Sequence, residues 1–165
     1  MPNLSKLSSS FNFFSSSWGD LTRDEFHAIM RLRIDVFVVE QNCPYPDLDG
    51  KDLKSMHVYA IKSNDDITSG DSVAAIIRIC APGVAYSEPS IGRVATRPDC
   101  RGIGLGIDIM NRAIVLCEKQ YPGLGIRISA QRYLEKFYSD LGFVSTGETY
   151  LEDNIPHIQM FRASR

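Results

Sequence analysis

The chain has 165 residues, 44% apolar and 23% charged, the make-up of one globular domain and not of a disordered, collagen-like or coiled-coil chain. Eighteen Lys and Arg face 20 Asp and Glu, a net charge of −2, so the basic excess of a general nucleic-acid binder is missing. No apolar run approaches the roughly 18 residues of a membrane span, no secretory leader is visible, and four cysteines and three histidines lack metal-ligand spacing; the expectation is a cytoplasmic protein with reduced thiols, no metal, no nucleic acid and no membrane.

Residues 1–17 are expected to be loosely ordered apart from a short strand near Phe11–Phe14, and residues 18–165 to form the domain. The tract SSSFNFFSSS lacks acids, as transit peptides do, but no Arg precedes Arg23, which speaks against targeting. Asn3-Leu4-Ser5 fits a glycosylation sequon that a chain without a leader does not use. Thr22, with Glu25 three positions on, predicts a capping box. Phe26, Ile29, Met30 and Ile34 then recur at helical spacing. VFVVEQ follows, and then a turn-rich loop, 42–52, carrying Asp47, Asp49 and Asp52. That loop has two readings: it attracts a cationic amine, or, more simply, it is a solvated turn whose carboxylates cap local N–H groups.

Strands are predicted at Met56–Ile61, Val73–Ile79 and Ile91–Thr96. The third runs into RPDCRGIGLG, after which Leu105, Ile109, Ala113 and Leu116 mark a helix that Pro122-Gly123 stops. A strand at Ile126–Ala130, a helix over Tyr133–Leu141 capped by Gly142, and strands at Phe143–Thr146 and His157–Phe161 complete the chain. The order predicts an α/β (α+β type) fold with one mixed sheet, and the crossover helix implies a parallel pair within it.

The chemistry is concentrated where the third strand ends. Gly102, Gly104 and Gly106 open a helix, so backbone N–H groups and the positive helix end are offered to an anion, with Arg101 at the mouth. The segment is not a Walker A loop, because Ile107 follows Gly106. It is not the dinucleotide fingerprint either, because the third glycine falls one position early. Arg-x-x-Gly-x-Gly between a strand and a long helix resembles motif A of the GNAT N-acyltransferases. YLEKFYSDLGF (133–143) is similar to their motif B, and FVVEQNCPYPDLDGKD (37–52) with Ile155-Pro156-His157 resembles the ElaA-like branch. The likeness spans about residues 20–165.

The resemblance implies a mostly antiparallel GNAT sheet, acetyl-CoA as acyl donor, and a small-molecule or peptide amine as acceptor. Dimers are common among similar proteins, so a homodimer is within its scope. It maps the pantetheine arm onto Val94, Ala95 and Thr96, and the pyrophosphate onto Arg101, Gly102, Ile103, Gly104, Leu105 and Gly106. Gln131 stands where the family often has Asn, and Leu134 where it often has Ala. Tyr138 matches the tyrosine commonly used as general acid, and a phenol is protonated at neutral pH.

A general base is less plain, since the fourth strand carries Arg93 and no acid. Glu40, Asp49, His57 and His157 are the candidates, with Glu40 and His157 foremost. Each has a structural reading beside it: Glu40 pairs with Arg33 or Arg93, and His157 is a strand-edge residue. Two other functions remain open at this point. One is a non-catalytic acyl-CoA-binding module. The other is an acyltransferase using an acyl-carrier-protein donor, as acyl-homoserine-lactone synthases do.

Overall fold

The computed structural model describes residues 10–164. Its strands are β1 (Phe11–Ser17), β2 (Ser55–Lys62), β3 (Val73–Cys80), β4 (Ser90–Thr96), β5 (Ile126–Gln131), β6 (Val144–Glu152) and β7 (Ile155–Arg162). The α-helices are α1 (Arg23–Arg33), α2 (Leu105–Gln120) and α3 (Glu135–Ser139). The seven strands form one sheet in the order β1-β2-β3-β4-β5-β7-β6. Every pair is antiparallel except β4 with β5, where α2 carries the chain back across the sheet. The mixed, mostly antiparallel sheet with flanking helices is thus as expected.

Alternation along the strands divides the core in two. Val58 and Ala60 of β2 face α2, packing with Leu105, Ile109, Met110 and Ala113. Tyr59 and Ile61 point the other way and meet Ala28, Ile29 and Leu32 of α1. α1 packs only against β2, β3 and β4 among the strands of its own cluster. On that same face β5, β7 and β6 carry no helix, and Ser129, Gln131, His157 and Gln159 alternate with the buried Ile128, Ala130, Ile158 and Met160. This bare half of the sheet becomes one wall of the site.

The local signals produced their local structures. Thr22 caps α1: its hydroxyl accepts from the Glu25 N–H at 3.2 Å, and Glu25 Oε2 accepts from the Thr22 N–H at 2.7 Å. Such a cap stabilises a helix by about 1 kcal/mol. Gly142 sits at φ 89°, and the Phe143 N–H donates to the Tyr138 carbonyl at 3.1 Å, closing α3.

Several boundaries differ from expectation. Phe11–Ser17 is a strand along its whole length, paired with β2 and with Phe11 buried; residues 1–9 of the segment expected to be loose lie outside the described residues. The helix expected over 133–141 is a 3₁₀ turn (Arg132–Leu134) followed by the five residues of α3. Ile34 is 46% exposed, because the backbone widens into a π-helix over Ile34–Glu40 and leaves the 3.6-residue spacing; Arg33 and Val36 are buried instead. β6 runs on to Glu152 and β7 begins at Ile155, joined by Asp153 and Asn154 at φ 50° and 62°, a two-residue hairpin turn.

Candidate active site in a split sheet

β4 and β5 pair only at Ser90 and Arg127, then part. A bulge in β4 directs the separation. Arg78 pairs with Gly92 and Ile76 with Ala95, so two residues, Arg93 and Val94, stand opposite Ile77 alone. Arg93 takes φ 51°, a left-handed conformation unusual for a side-chain-bearing residue. The opening leads into a cavity of about 800 Å³ bordered by Val94–Thr96 on one side and by Ile128, Ser129 and Gln131 on the other. The Arg97 N–H donates to Ala74 of β3. The two ends of a trans peptide point in opposite directions, so the Thr96 carbonyl faces the opening, where Arg101 Nε donates to it at 2.9 Å.

At one end of the cavity the glycine loop enters α2. Gly102 and Gly104 hold φ 74° and 93°, and Gly104 is the N-cap without any side-chain cap. The carbonyl of Gly104 accepts from Ile107 and Asp108. Among the described residues, no protein group accepts from the N–H groups of Gly102, Ile103, Gly104, Leu105 or Gly106. A Cβ on Gly102 would meet nothing within 4 Å, and one on Gly106 only ordinary contacts at 3.7 and 3.9 Å. Five neighbouring donors at a positive helix end, with open space before them, suit an anion such as a diphosphate.

The site residues expected from the sequence come together unevenly. Tyr138 is 6% exposed, borders the cavity, and its hydroxyl has no partner among the described residues. Burial pushes its phenol well above the usual range, so it stays protonated. His157 also borders the cavity. Its Nδ1–H donates to the Ile155 carbonyl at 2.8 Å, which makes Nε2 the lone-pair nitrogen of the neutral tautomer. The ring stacks on Tyr150. Gln131 borders the cavity with its amide donating to Gln41 Oε1 at 3.0 Å, a partner not foreseen.

Glu40 pairs with neither Arg33 nor Arg93. Both its oxygens accept from Arg101, each at 2.8 Å, and that guanidinium holds the carboxyl below its usual range. His57 is fully buried away from the cavity, and burial lowers its pKa, so it is out of reach of a substrate.

The acidic loop follows its turn reading only at Asp49, which accepts from the Lys51 N–H at 3.1 Å; its carboxylates are otherwise taken by guanidinium groups. Asp47 and Asp52 are buried, and they face Arg33, whose exposure is 0%. Arg33 donates from Nε to Asp47 Oδ2 at 2.8 Å and from Nη1 to Asp52 Oδ1 at 2.6 Å. Asp49 takes both terminal nitrogens of Arg78, at 2.8 and 3.0 Å. Arg93 Nε lies 2.7 Å from Asp47 Oδ1. Three carboxylates and three guanidinium groups thereby join α1, the 42–52 loop, β3 and the bulge of β4. A buried charge needs a partner, and here the partners are supplied by a loop whose composition resembles a solvated turn.

Residues that sequence reasoning passed over lie on the bare half of the sheet. Ser129, Glu152 and Tyr86 border the cavity, with Tyr150 behind them. Their signal was the period-2 run through Tyr150 and Glu152, which shows only once Asp153-Asn154 is recognised as a hairpin turn.

Residues 54–163 match the family described as the Acetyltransferase (GNAT) domain. Protein ElaA of Escherichia coli is 36% identical over 152 residues, 88% of this chain and 95% of that protein. A UPF0039 protein of Synechocystis is 38% identical over 149 residues, 90% of this chain and 93% of its relative. The crystal structure of an acyl-CoA N-acyltransferase from Pseudomonas aeruginosa superposes with a TM-score of 0.85 at 38% identity, covering 93% of this chain and 100% of that one.

Proposed function

The chain belongs to the GNAT acetyltransferase family, and from that premise we propose that it moves an acetyl group from acetyl-CoA to a primary amine by direct attack while both substrates are bound. The observation that carries this reading is the row of five unclaimed N–H groups from Gly102 to Gly106 beside the split between β4 and β5. The diphosphate of acetyl-CoA rests on those donors. Its pantetheine arm runs along Val94, Ala95 and Thr96 as an added strand, with Gln131 on the far side. Four buried cysteines without a disulfide suit a reducing compartment, and the cytoplasm is our assignment.

The amine must lose a proton before it has a lone pair to give. His157 Nε2 accepts it, because Nδ1 is held as a donor to Ile155. The nitrogen then bonds to the thioester carbon and the carbon–sulfur bond breaks. Tyr138 donates its proton to the departing sulfur. Both side chains reset by proton exchange with solvent. Glu40 is a poorer base, since Arg101 occupies both of its oxygens.

Calorimetric titration of acetyl-CoA, followed by release of free thiol with a panel of amines, tests the reading. Binding with turnover supports it. Binding without turnover leaves an acyl-CoA-binding module, and activity only with an acyl-carrier-protein donor moves the chain to the other alternative.

Two variants probe the parts. Gly104→Glu forces a side chain onto φ 93° and sets a carboxylate against the diphosphate; acetyl-CoA should bind at least about tenfold more weakly, and unchanged affinity in calorimetry would remove the loop from the site. His157→Gln keeps a polar group and loses the base; kcat should fall about 10²-fold, with acetyl-CoA affinity within about twofold. An equal rate would mean that water takes the proton unaided.

A further inference from the structure

The charges around the cavity are nearly all spent on one another. Arg78 and Arg93 are held by the buried aspartates, Lys51 pairs with Asp49, and Arg101 pairs with Glu40. Glu152 is different. It borders the cavity from the end of β6 and forms no ion pair among the described residues. It is also held in place. Ser129 donates to Glu152 Oε2 at 3.0 Å. A serine hydroxyl has one proton, so in its contact with Tyr150 it must accept, and Tyr150 donates to it. The donors therefore run one way, from Tyr150 through Ser129 to Glu152, and leave Glu152 Oε1 without a donor among the described residues. Asp153, next in the turn, likewise has no cation partner among the described residues. The acceptor side thus ends in uncompensated negative charge, oriented by two hydroxyl groups, on the half of the sheet that no helix covers. Tyr138, with its unclaimed hydroxyl, borders the same cavity from α3.

We propose that Glu152 binds a second cationic group of the acceptor, so that the preferred acceptor is a diamine or polyamine that presents one amine to the thioester and keeps a remote ammonium on this carboxylate. The inference rests on the acetyl-transfer reading above. The remote ammonium stays protonated throughout, and only the amine beside His157 gives up its proton. The 42–52 loop cannot take this cation, because Arg33, Arg78 and Arg93 already occupy its carboxylates.

Three acceptors with four carbons each separate the possibilities: butylamine, 1,4-diaminobutane and 4-aminobutyrate, whose far ends are neutral, positive and negative. With acetyl-CoA and the full chain, kcat/KM is expected to be highest for diaminobutane, about tenfold above butylamine, and lowest for aminobutyrate. Glu152→Gln should shrink the diaminobutane-to-butylamine ratio about tenfold, chiefly through KM. Glu152→Lys should raise aminobutyrate above diaminobutane. A ratio near one in the parent chain, or a ratio that neither variant changes, overturns the proposal. Calorimetry with acetyl-CoA alone reports separately on the premise: donor binding and transfer to butylamine without charge preference sink only the role of Glu152, while loss of donor binding sinks both.

Discussion

Tyr138→Phe is expected to lower kcat for acetyl transfer about 10²-fold while acetyl-CoA affinity changes by less than about twofold. General-acid catalysis contributes roughly 10² to 10⁴, and a thiolate, with a conjugate-acid pKa of about 8.5, leaves tolerably well unprotonated, so the lower end applies. The variant should fold normally. The Tyr138 hydroxyl has no partner among the described residues, so removing it breaks no hydrogen bond among them, and the ring keeps its edge-to-face contacts with Phe137 and Phe143. Its thermal midpoint should equal the parent's or exceed it slightly. Steady-state rates with saturating amine, set beside a calorimetric Kd for the donor, give the check. An unchanged kcat would reduce Tyr138 to a packing residue against the pantetheine arm.

Asp52→Asn is expected to cost about 3 kcal/mol of stability, because it leaves three guanidinium groups, Arg33 at 0% exposure among them, sharing the two carboxylates of Asp47 and Asp49. At about 2–4 °C per kcal/mol for a chain of this size, the thermal midpoint falls by roughly 10 °C. Acid should narrow the gap. Burial alone would raise the Asp52 carboxyl, but Arg33 and then Arg78 outweigh it and hold the group below its ordinary 3.8. Asp49 is likewise held down by Arg78 against its burial. A carboxylate with a depressed folded-state pKa contributes stability that is complete above its unfolded pKa and is lost as pH falls through the folded value. The difference between the parent and Asp52→Asn should therefore be full at pH 7 and shrink below about pH 3.8. Urea midpoints at pH 7 and pH 3 decide it; a gap that stays constant would mean that Asp52 acts through shape and not through charge.

What the amino-acid sequence determined by itself is what its neighbours along the chain decide. The Thr22–Glu25 capping box, the glycines that turn the end of β4 into α2, and the Gly142 cap of α3 each involve groups a few residues apart, so they read directly and formed as read. The spacing of Arg101 to Gly106 with Tyr138 also sufficed to indicate the family. The tertiary structure decided what depends on distant partners. Asp47 and Asp52 are charged loop residues until Arg33, 14 and 19 positions away, is buried against them. Arg93 takes a left-handed bulge in a position where Asp47 holds its guanidinium. Glu40 meets Arg101 across 61 residues, and Glu152 reaches Ser129 across 23, beyond the intervening strand β7. Backbone propensities and caps act over one turn, whereas the pairing of buried charges is fixed only when the sheet closes. The glycine-loop end of the cavity is built mainly from the first kind of information, and the wall on the bare half of the sheet almost wholly from the second.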